Sequence, residues 1–477
     1  MLTFSICFVV LVAAYFLYGS FLEYTVGVDD KADMPSKTHY DGVDFMPLPR
    51  WRIFLIQLLN IAGTGPIFGA VLGACYGPVA FLWITIGGIF MGAMHDFVSG
   101  VISIRNNGQS LPEIIGKYLG GGMHKFTLVV IPVLMILVGA VFITTPSQIL
   151  GDKTGFPEWI WAVVIVAYYF IATMLPVDKI IGKIYPVFGV ALIFMAVALF
   201  GVLIFGDYSV PELTSVDNMH FNADKLPIVP TLFISIACGA ISGFHATQSP
   251  LMARCMTNER QARPVFFGAM ISESIIALVW AAIAMAFFGG VEGLNEFMQQ
   301  NSGNAGVAVS TISDTTLGVV GGILALLGVV VAPITSGDTA FRSARLIIAD
   351  MLHYDQKPIL NRLVVSIPLF VIGVGITFIN FDVIWRYFAW SNQALSVITL
   401  WMITAWLMRR RSKVSFLALL PAIFMTYICS SFVFVSNQFV GLGATTQAYI
   451  YGAAMTAIIS GLLMTKICKD IKHGATI

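Results

Sequence analysis

Very few side chains in this sequence can place charge inside an apolar stretch: Asp96 with His95 beside it, Glu273, and Asp338. An ionisable group inside a membrane span is costly and marks a candidate functional position. A carboxylate there carries a proton or partners a cation. Neighbouring residues on a helix do not face the same way, so only one of His95 and Asp96 is expected to face a site squarely. Asp96 is that residue, and His95 is read first as a packed histidine and second as a coupling group. Glu273 is the second titrating candidate, or else a group facing a water-filled vestibule. Asp338 reads as an interfacial cap. Thr335 and Ser336 offer hydroxyl oxygens suited to sodium or to a proton-carrying water, although hydroxyls also serve as glue between membrane helices.

A second set of polar residues surrounds two interruptions in apolar runs. The first is Asn60-Ile61-Ala62-Gly63-Thr64-Gly65-Pro66, inside the run 53–74. Two glycines and a proline are poor helix interior. Irregular backbone at membrane depth is tolerated only inside protein or beside a cavity. The second is Cys238-Gly239-Ala240-Ile241-Ser242-Gly243, followed by His245 and Gln248. A carboxylate would find N–H groups at a half-helix N-terminus after Gly63 to Gly65, or after Ser242 and Gly243. Asn60, Gly63, Thr64, Gly65, Ser242, Gly243, His245 and Gln248 are therefore the expected substrate-binding set. His245 and Gln248, three apart, would share a face.

The elements that position these groups are membrane helices. The chain has 477 residues, 58% hydrophobic and 11% charged, against about 25% charged in an ordinary soluble protein. A net charge of +1 gives no sign of a nucleic-acid partner. The six cysteines form no closely spaced pair and read as small core residues, with no metal site or other cofactor expected. Thirteen spans are expected: 3–19, 53–74, 79–103, 126–146, 158–176, 184–206, 228–250, 264–288, 315–336, 361–380, 385–407, 414–435 and 447–467. With the C-terminus inside, every basic residue except Lys153, Lys225 and Arg386 falls on the cytoplasmic side. That asymmetry sets the N-terminus outside. The loop 20–52 reads as a solvated cytoplasmic connector. Trp385, Arg386 and Trp390 read as an interfacial belt, and Asn392 and Gln393 as cavity-lining or helix-tying groups.

From one break to the other lie five spans, an odd number, which inverts the second unit in the membrane. Paired interrupted helices in two halves are the best sequence pointer to a transporter site. The expected organisation is an N-terminal helix and loop (1–52), a five-helix repeat (53–206), an external loop (207–227), a second repeat (228–407) and two further helices (408–477). This arrangement resembles the leucine-transporter fold of the amino acid–polyamine–organocation superfamily. The resemblance implies a substrate between the breaks, and a cation, where used, beside Thr335 and Ser336.

Local motifs narrow the resemblance. Asp41-Gly42-Val43-Asp44-Phe45, Ile61-Ala62-Gly63-Thr64-Gly65-Pro66, Gly92-Ala93-Met94-His95-Asp96-Phe97, Arg105-Asn106-Asn107-Gly108 and Trp385-Arg386-Tyr387-Phe388-Ala389-Trp390-Ser391-Asn392-Gln393 look like the carbon starvation protein A family. That resemblance implies an inner-membrane importer of peptides or of pyruvate, used in carbon starvation and driven by protons. Some members carry a histidine pair where this chain has Ile56 and Gln57, and His95 stands where some relatives have glutamine. Proton coupling through those histidines does not carry over, whereas Asp96 fits the motif. The alternatives are a sodium-coupled symporter of another small organic or amino acid, a nutrient sensor that binds without transport, and an intramembrane enzyme. No glycine-rich phosphate loop is encoded, nor any zinc-protease or serine-hydrolase motif, so no catalytic residue is expected. The remaining partner is the bilayer, and helices 1, 12 and 13, outside the repeat, either make a homodimer contact or brace the core.

Overall fold

The computed structural model describes residues 1–175, 181–356, 358–379 and 381–473; Lys179 and Lys357, and the side chains of Lys183 and Arg386, lie outside the description. The described chain is all helical. Helix α1, Leu2–Val26, precedes a loop, and α2, Arg50–Ile61, opens the first unit. At Ala62 the backbone leaves helical geometry (φ −81°, ψ 57°) and the chain restarts as α3, Gly65–Ala74, bent 57° from α2. Helices α4 (Val79–Arg105), α5 (Leu111–Leu119), α6 (Gly121–Thr154), α7 (Glu158–Met174) and α8 (Ile181–Phe205) follow.

The second unit opens on the short α9, residues 228–235. Ile236 leaves the helix (φ −94°, ψ 73°), Ser242 is extended, and α10 runs Gly243–Ala253. Next come α11 (Glu259–Phe287), α12 (Val291–Gln300), α13 (Ala305–Met351), α14 (Ile359–Thr377) and α15 (Phe381–Arg409). Last are α16 (Phe416–Val435) and α17 (Thr446–Lys472). Each expected stretch overlaps helix among the described residues, with 53–74 and 228–250 interrupted and residues 176 and 380 outside the description. Among the described residues, eight helices are long and apolar enough to cross a membrane, or nine when the bent pair α2–α3 counts as one span.

The two breaks pack on each other. An atom in place of the Gly65 hydrogen would stand 2.2 Å from Cys238 Cβ, and one at Gly69 would stand 2.9 Å from the Ser235 carbonyl oxygen. Glycine is required here for close approach of backbone and side chain. Helices α4 and α11 close around this contact: Gly92 abuts the Ala240 carbonyl oxygen and Gly88 abuts Ser274. Helices α6 and α13 pack together across the other side of the first break.

One expectation fails on the loop 20–52. Its first residues continue α1, and Asp44 and Ser36 are buried. Asp44 lies between two arginines of α13, at 3.0 Å from Arg342 and 3.4 Å from Arg345. Met46 N–H donates to the Arg254 carbonyl and Leu48 N–H to that of Cys255. A connector that pairs buried guanidinium groups is part of the packed body.

Candidate functional site

Local backbone turns pair some of the freed groups at the breaks, and side chains take others. At the first break, Ser336 Oγ donates to the Leu59 carbonyl at 2.8 Å. At the second, Trp83 Nε1–H donates to the Ile236 carbonyl (3.1 Å) and Gln393 Nε2–H to that of Ile241 (3.0 Å). Asn392 Oδ1 accepts the Phe244 N–H at 2.7 Å, which caps α10, and its amide donates to Ser242 Oγ at 3.0 Å. Asn392 and Gln393 therefore tie α15 to the break, and they answer a large part of the demand that an unsatisfied buried backbone would make. Gly243 is needed for this fit, because any side chain there would run into the Asn392 carbonyl oxygen at 2.4 Å.

Several side chains near the breaks keep polar atoms without a partner. Among the described residues, both amide atoms of Asn60 and of Gln57, the Thr64 hydroxyl and Gln248 Oε1 are buried and unpaired. Asn60 and Gln57 lie three apart on α2, hence on one face, and α2 packs on α10. Gln248 points its amide at Thr247 (2.8 Å) and toward Ser343 of α13 (3.4 Å). His245 turns the other way, so the pair does not form one wall.

His245 joins the strongest feature of the molecule. Asp96 accepts from His95 Nδ1–H through one oxygen (2.8 Å) and from His245 Nδ1–H through the other (2.9 Å). On the far edge of its ring, His245 Nε2 lies 3.5 Å from Glu273 Oε2, an ion-pair distance without a hydrogen bond. All four side chains have zero exposure. The expectation that only one of His95 and Asp96 faces the site needs correction. Their Cα–Cβ bonds diverge, but the histidine ring is long enough to swing back onto the carboxylate. Glu273 does not face a water-filled vestibule; it is sealed between helices. Among the described residues, the ion pairs of Asp96 and Glu273 are with histidines alone.

Asp338 is not an interfacial cap. It is fully buried, and accepts from Tyr185 Oη at 2.5 Å and from Thr173 Oγ1 at 3.4 Å. Because α13 extends to Met351, position 338 sits well inside the helix rather than at its end. Thr335 Oγ1 donates to the Ala332 carbonyl (2.8 Å). Ser336 stands beside the first break, Thr335 meets Tyr185 through its carbonyl, and both hydroxyl protons are committed. Trp390 Nε1–H donates to the Cys429 carbonyl of α16 rather than resting in a belt.

The two ends of the bundle differ. The Asp44 cluster lies at the end rich in basic residues, where Arg105 also pairs with Glu259 at 2.7 Å. At the opposite end a cavity of about 520 Å³ is lined by residues that include Phe68, Thr145, Asp152, Ser302 and Trp385. From it the aromatic rings of Trp385, Phe388 and Phe142 lead inward with centroids 5.6 and 6.3 Å apart. Phe142 touches Gly63 at the first break.

The family model described as "Carbon starvation protein CstA" matches residues 1–155 and 145–326. The chain belongs to this family. A membrane protein of Haemophilus influenzae is 42% identical over 62% of this chain and 94% of its own length. The "Peptide transporter CstA" of Campylobacter jejuni is 32% identical over 56% of this chain and 47% of its own. The "Pyruvate/proton symporter BtsT" of Escherichia coli is 24% identical over 63% and 50%. The chain thus spans about half the length of these two transporters. Among solved structures, MhsT in complex with L-phenylalanine gives a TM-score of 0.56 at 13% identity over 88% of this chain and 99% of MhsT. Mhp1, a nucleobase-cation-symport-1 transporter, gives 0.55 at 14% identity over 92% and 96%. These two place this CstA-family chain in the leucine-transporter fold.

Proposed function

We propose that this protein is a proton-coupled secondary transporter that imports a small carbon source, pyruvate or short peptides, across the plasma membrane with its C-terminus in the cytoplasm. The observation that carries the reading is the buried chain His95–Asp96–His245–Glu273. With both histidines neutral and both carboxylates ionised, this dry cluster would hold a net charge of −2. Burying uncompensated charge is expensive, so the cluster holds protons in at least one conformation. His245 belongs to the second broken helix, and Asp96 and Glu273 belong to the helices packed around it. A change in the angle at the break therefore alters the distances along the chain, and with them its hold on protons. The substrate is met by Asn60 and Thr64 beside Gly63 and Gly65, and by Gln248 on α10, each with a polar atom left unpaired. Ser242 and Gly243 hold the second break in register through Asn392. The cavity beside Thr145 and Trp385 is the way in, and the Asp44 cluster keeps the cytoplasmic end shut. The peptide and pyruvate assignments come from the names of the relatives. Proton rather than sodium coupling comes from the histidine–carboxylate chain.

The test is uptake of labelled pyruvate and of a labelled dipeptide into sealed liposomes, under an inward proton gradient or an inward sodium gradient. Proton-driven uptake of at least one solute is expected, and Asp96→Asn should reduce it to the level of empty liposomes. Uptake driven by sodium alone, or unchanged in Asp96→Asn, would overturn the coupling assignment.

A further inference from the structure

Cys238 has no part in the proton chain, yet its sulfur sits at the end of it. Cys238 Sγ, a His245 ring nitrogen and a Glu273 carboxylate oxygen all lie within 4.8 Å of one another, and all three residues are buried. We infer that these three side chains form a binding site for a soft divalent transition-metal ion, of which Zn²⁺ is the type. Thiolate, imidazole and carboxylate are the ligand types such ions take.

The atoms are available. Glu273 Oε1 and Oε2 and His245 Nε2 have no hydrogen-bond partner. Cys238 Sγ makes a weak contact, 3.8 Å to Ser242 Oγ, and otherwise lies beside the His245 ring. The ring is also prepared. Asp96 holds the proton on His245 Nδ1 at 2.9 Å, so the neutral imidazole presents its lone pair at Nε2, toward Glu273. A carboxylate behind the other ring nitrogen is the usual support of a metal-bound histidine, fixing its tautomer and raising its basicity. Ligand atoms around a tetrahedral ion stand about 3.3–3.8 Å apart. His245 Nε2 and Glu273 Oε2 already stand at 3.5 Å, and the sulfur needs to move by about 1 Å at most. Three protein ligands leave a fourth position for water or a small anion. Charge favours the ion as well, since thiolate plus carboxylate balance two positive charges, and no lysine or arginine among the described residues pairs with Glu273.

An ion bound there would fix the second broken helix to α11. The assignment of the site stands without the transport reading; only its inhibitory consequence rests on that reading. The primary measurement is therefore spectroscopic. The purified, chelator-stripped protein is titrated with Co²⁺ in a Cys468→Ser background, which removes the only exposed thiol among the six cysteines. A near-ultraviolet sulfur-to-cobalt band and visible tetrahedral bands are expected, displaced by Zn²⁺. Cys238→Ser should lose the sulfur band, and His245→Asn or Glu273→Gln should weaken binding, with each variant checked for an unchanged elution profile. No cobalt spectrum in the parent protein, or an undiminished sulfur band in Cys238→Ser, would overturn the site. In liposomes, Zn²⁺ should depress uptake in the parent and lose that effect in Cys238→Ser, each measured against its own metal-free rate. If no variant transports any solute while the cobalt spectrum behaves as stated, the transport reading fails and the metal site stands.

Discussion

At the residue scale, Asn392 shows how the break is held. Its Oδ1 is the acceptor for the Phe244 amide at the start of α10, and its amide reaches Ser242. Loss of an N-terminal cap costs about 1 kcal/mol, and up to about 2 in well-ordered sites. Asn392→Ala should therefore lower stability by about 1–2 kcal/mol, read as a lowered Tm of the detergent-solubilised protein. An unchanged Tm would show that water or another side chain takes over the cap. Asn392 and Gln393 are legible in the sequence as polar residues in an apolar helix. Which of their two readings holds depends on where α15 lies against the break, and that is a matter of packing.

At the scale of elements, the two broken helices work as one joint. Gly65 faces Cys238 with no room for a methyl group, the added atom falling 2.2 Å from Cys238 Cβ. Overpacking a close contact costs about 1–3 kcal/mol, and Gly65→Ala should be destabilised by that amount. Removing the opposing Cβ should relieve it, so the double variant Gly65→Ala/Cys238→Gly should recover part of the loss. A double-mutant cycle in thermal unfolding measures this coupling, and strict additivity would mean that the two breaks do not press on each other. The joint also explains why adjacent His95 and Asp96 converge. Both lie on α4, which packs against α10, and the Asp96 carboxylate is drawn between its own neighbour and His245. Helical phase alone separates them; the proximity of a third group brings them together.

At the scale of the whole molecule, the Asp44 cluster joins the loop before the first unit to the far end of α13. Burial raises the Asp44 pKa, but the guanidinium groups of Arg345, Arg342 and Arg254 outweigh it, and its carboxyl titrates below the usual value. A depressed folded pKa gives stability that is complete above the unfolded value, about 3.9, and is lost as pH falls through the folded one. The clasp is thus intact across about pH 5–8 and loosens only in acid below about 4. Asp44→Asn leaves two buried arginines uncompensated, a loss of about 3–5 kcal/mol. In urea unfolding at neutral pH it should fall by that amount, with the difference from the parent shrinking only below about pH 4. Orientation can be read from a native group. Cys468 alone of the six cysteines is exposed, near the basic end of α17. A membrane-impermeant maleimide should label it in inverted vesicles and not in intact cells. Labelling of intact cells would reverse the orientation.

The sequence by itself determined the class and the skeleton. Apolar run length requires helices in lipid, because every backbone polar group there needs an internal partner. Glycine and proline mark the first interruption within 60–66 and small residues the second within 238–243, and the chain leaves helical geometry at Ala62 and from Ile236 to Ser242. The rarity of charge in apolar runs is enough to single out Asp96 and Glu273. Only the tertiary structure decided the partners. Asp96 and His245 lie 149 positions apart, and no periodicity within one helix carries information about the facing residue of another. The same holds for Asp338, whose burial against Tyr185 and Thr173 depends on how α7 and α8 lie on α13. It holds for Asp44, whose arginines lie 298 and 301 positions further along the chain. Local sequence sets which groups must be satisfied, and packing sets what satisfies them.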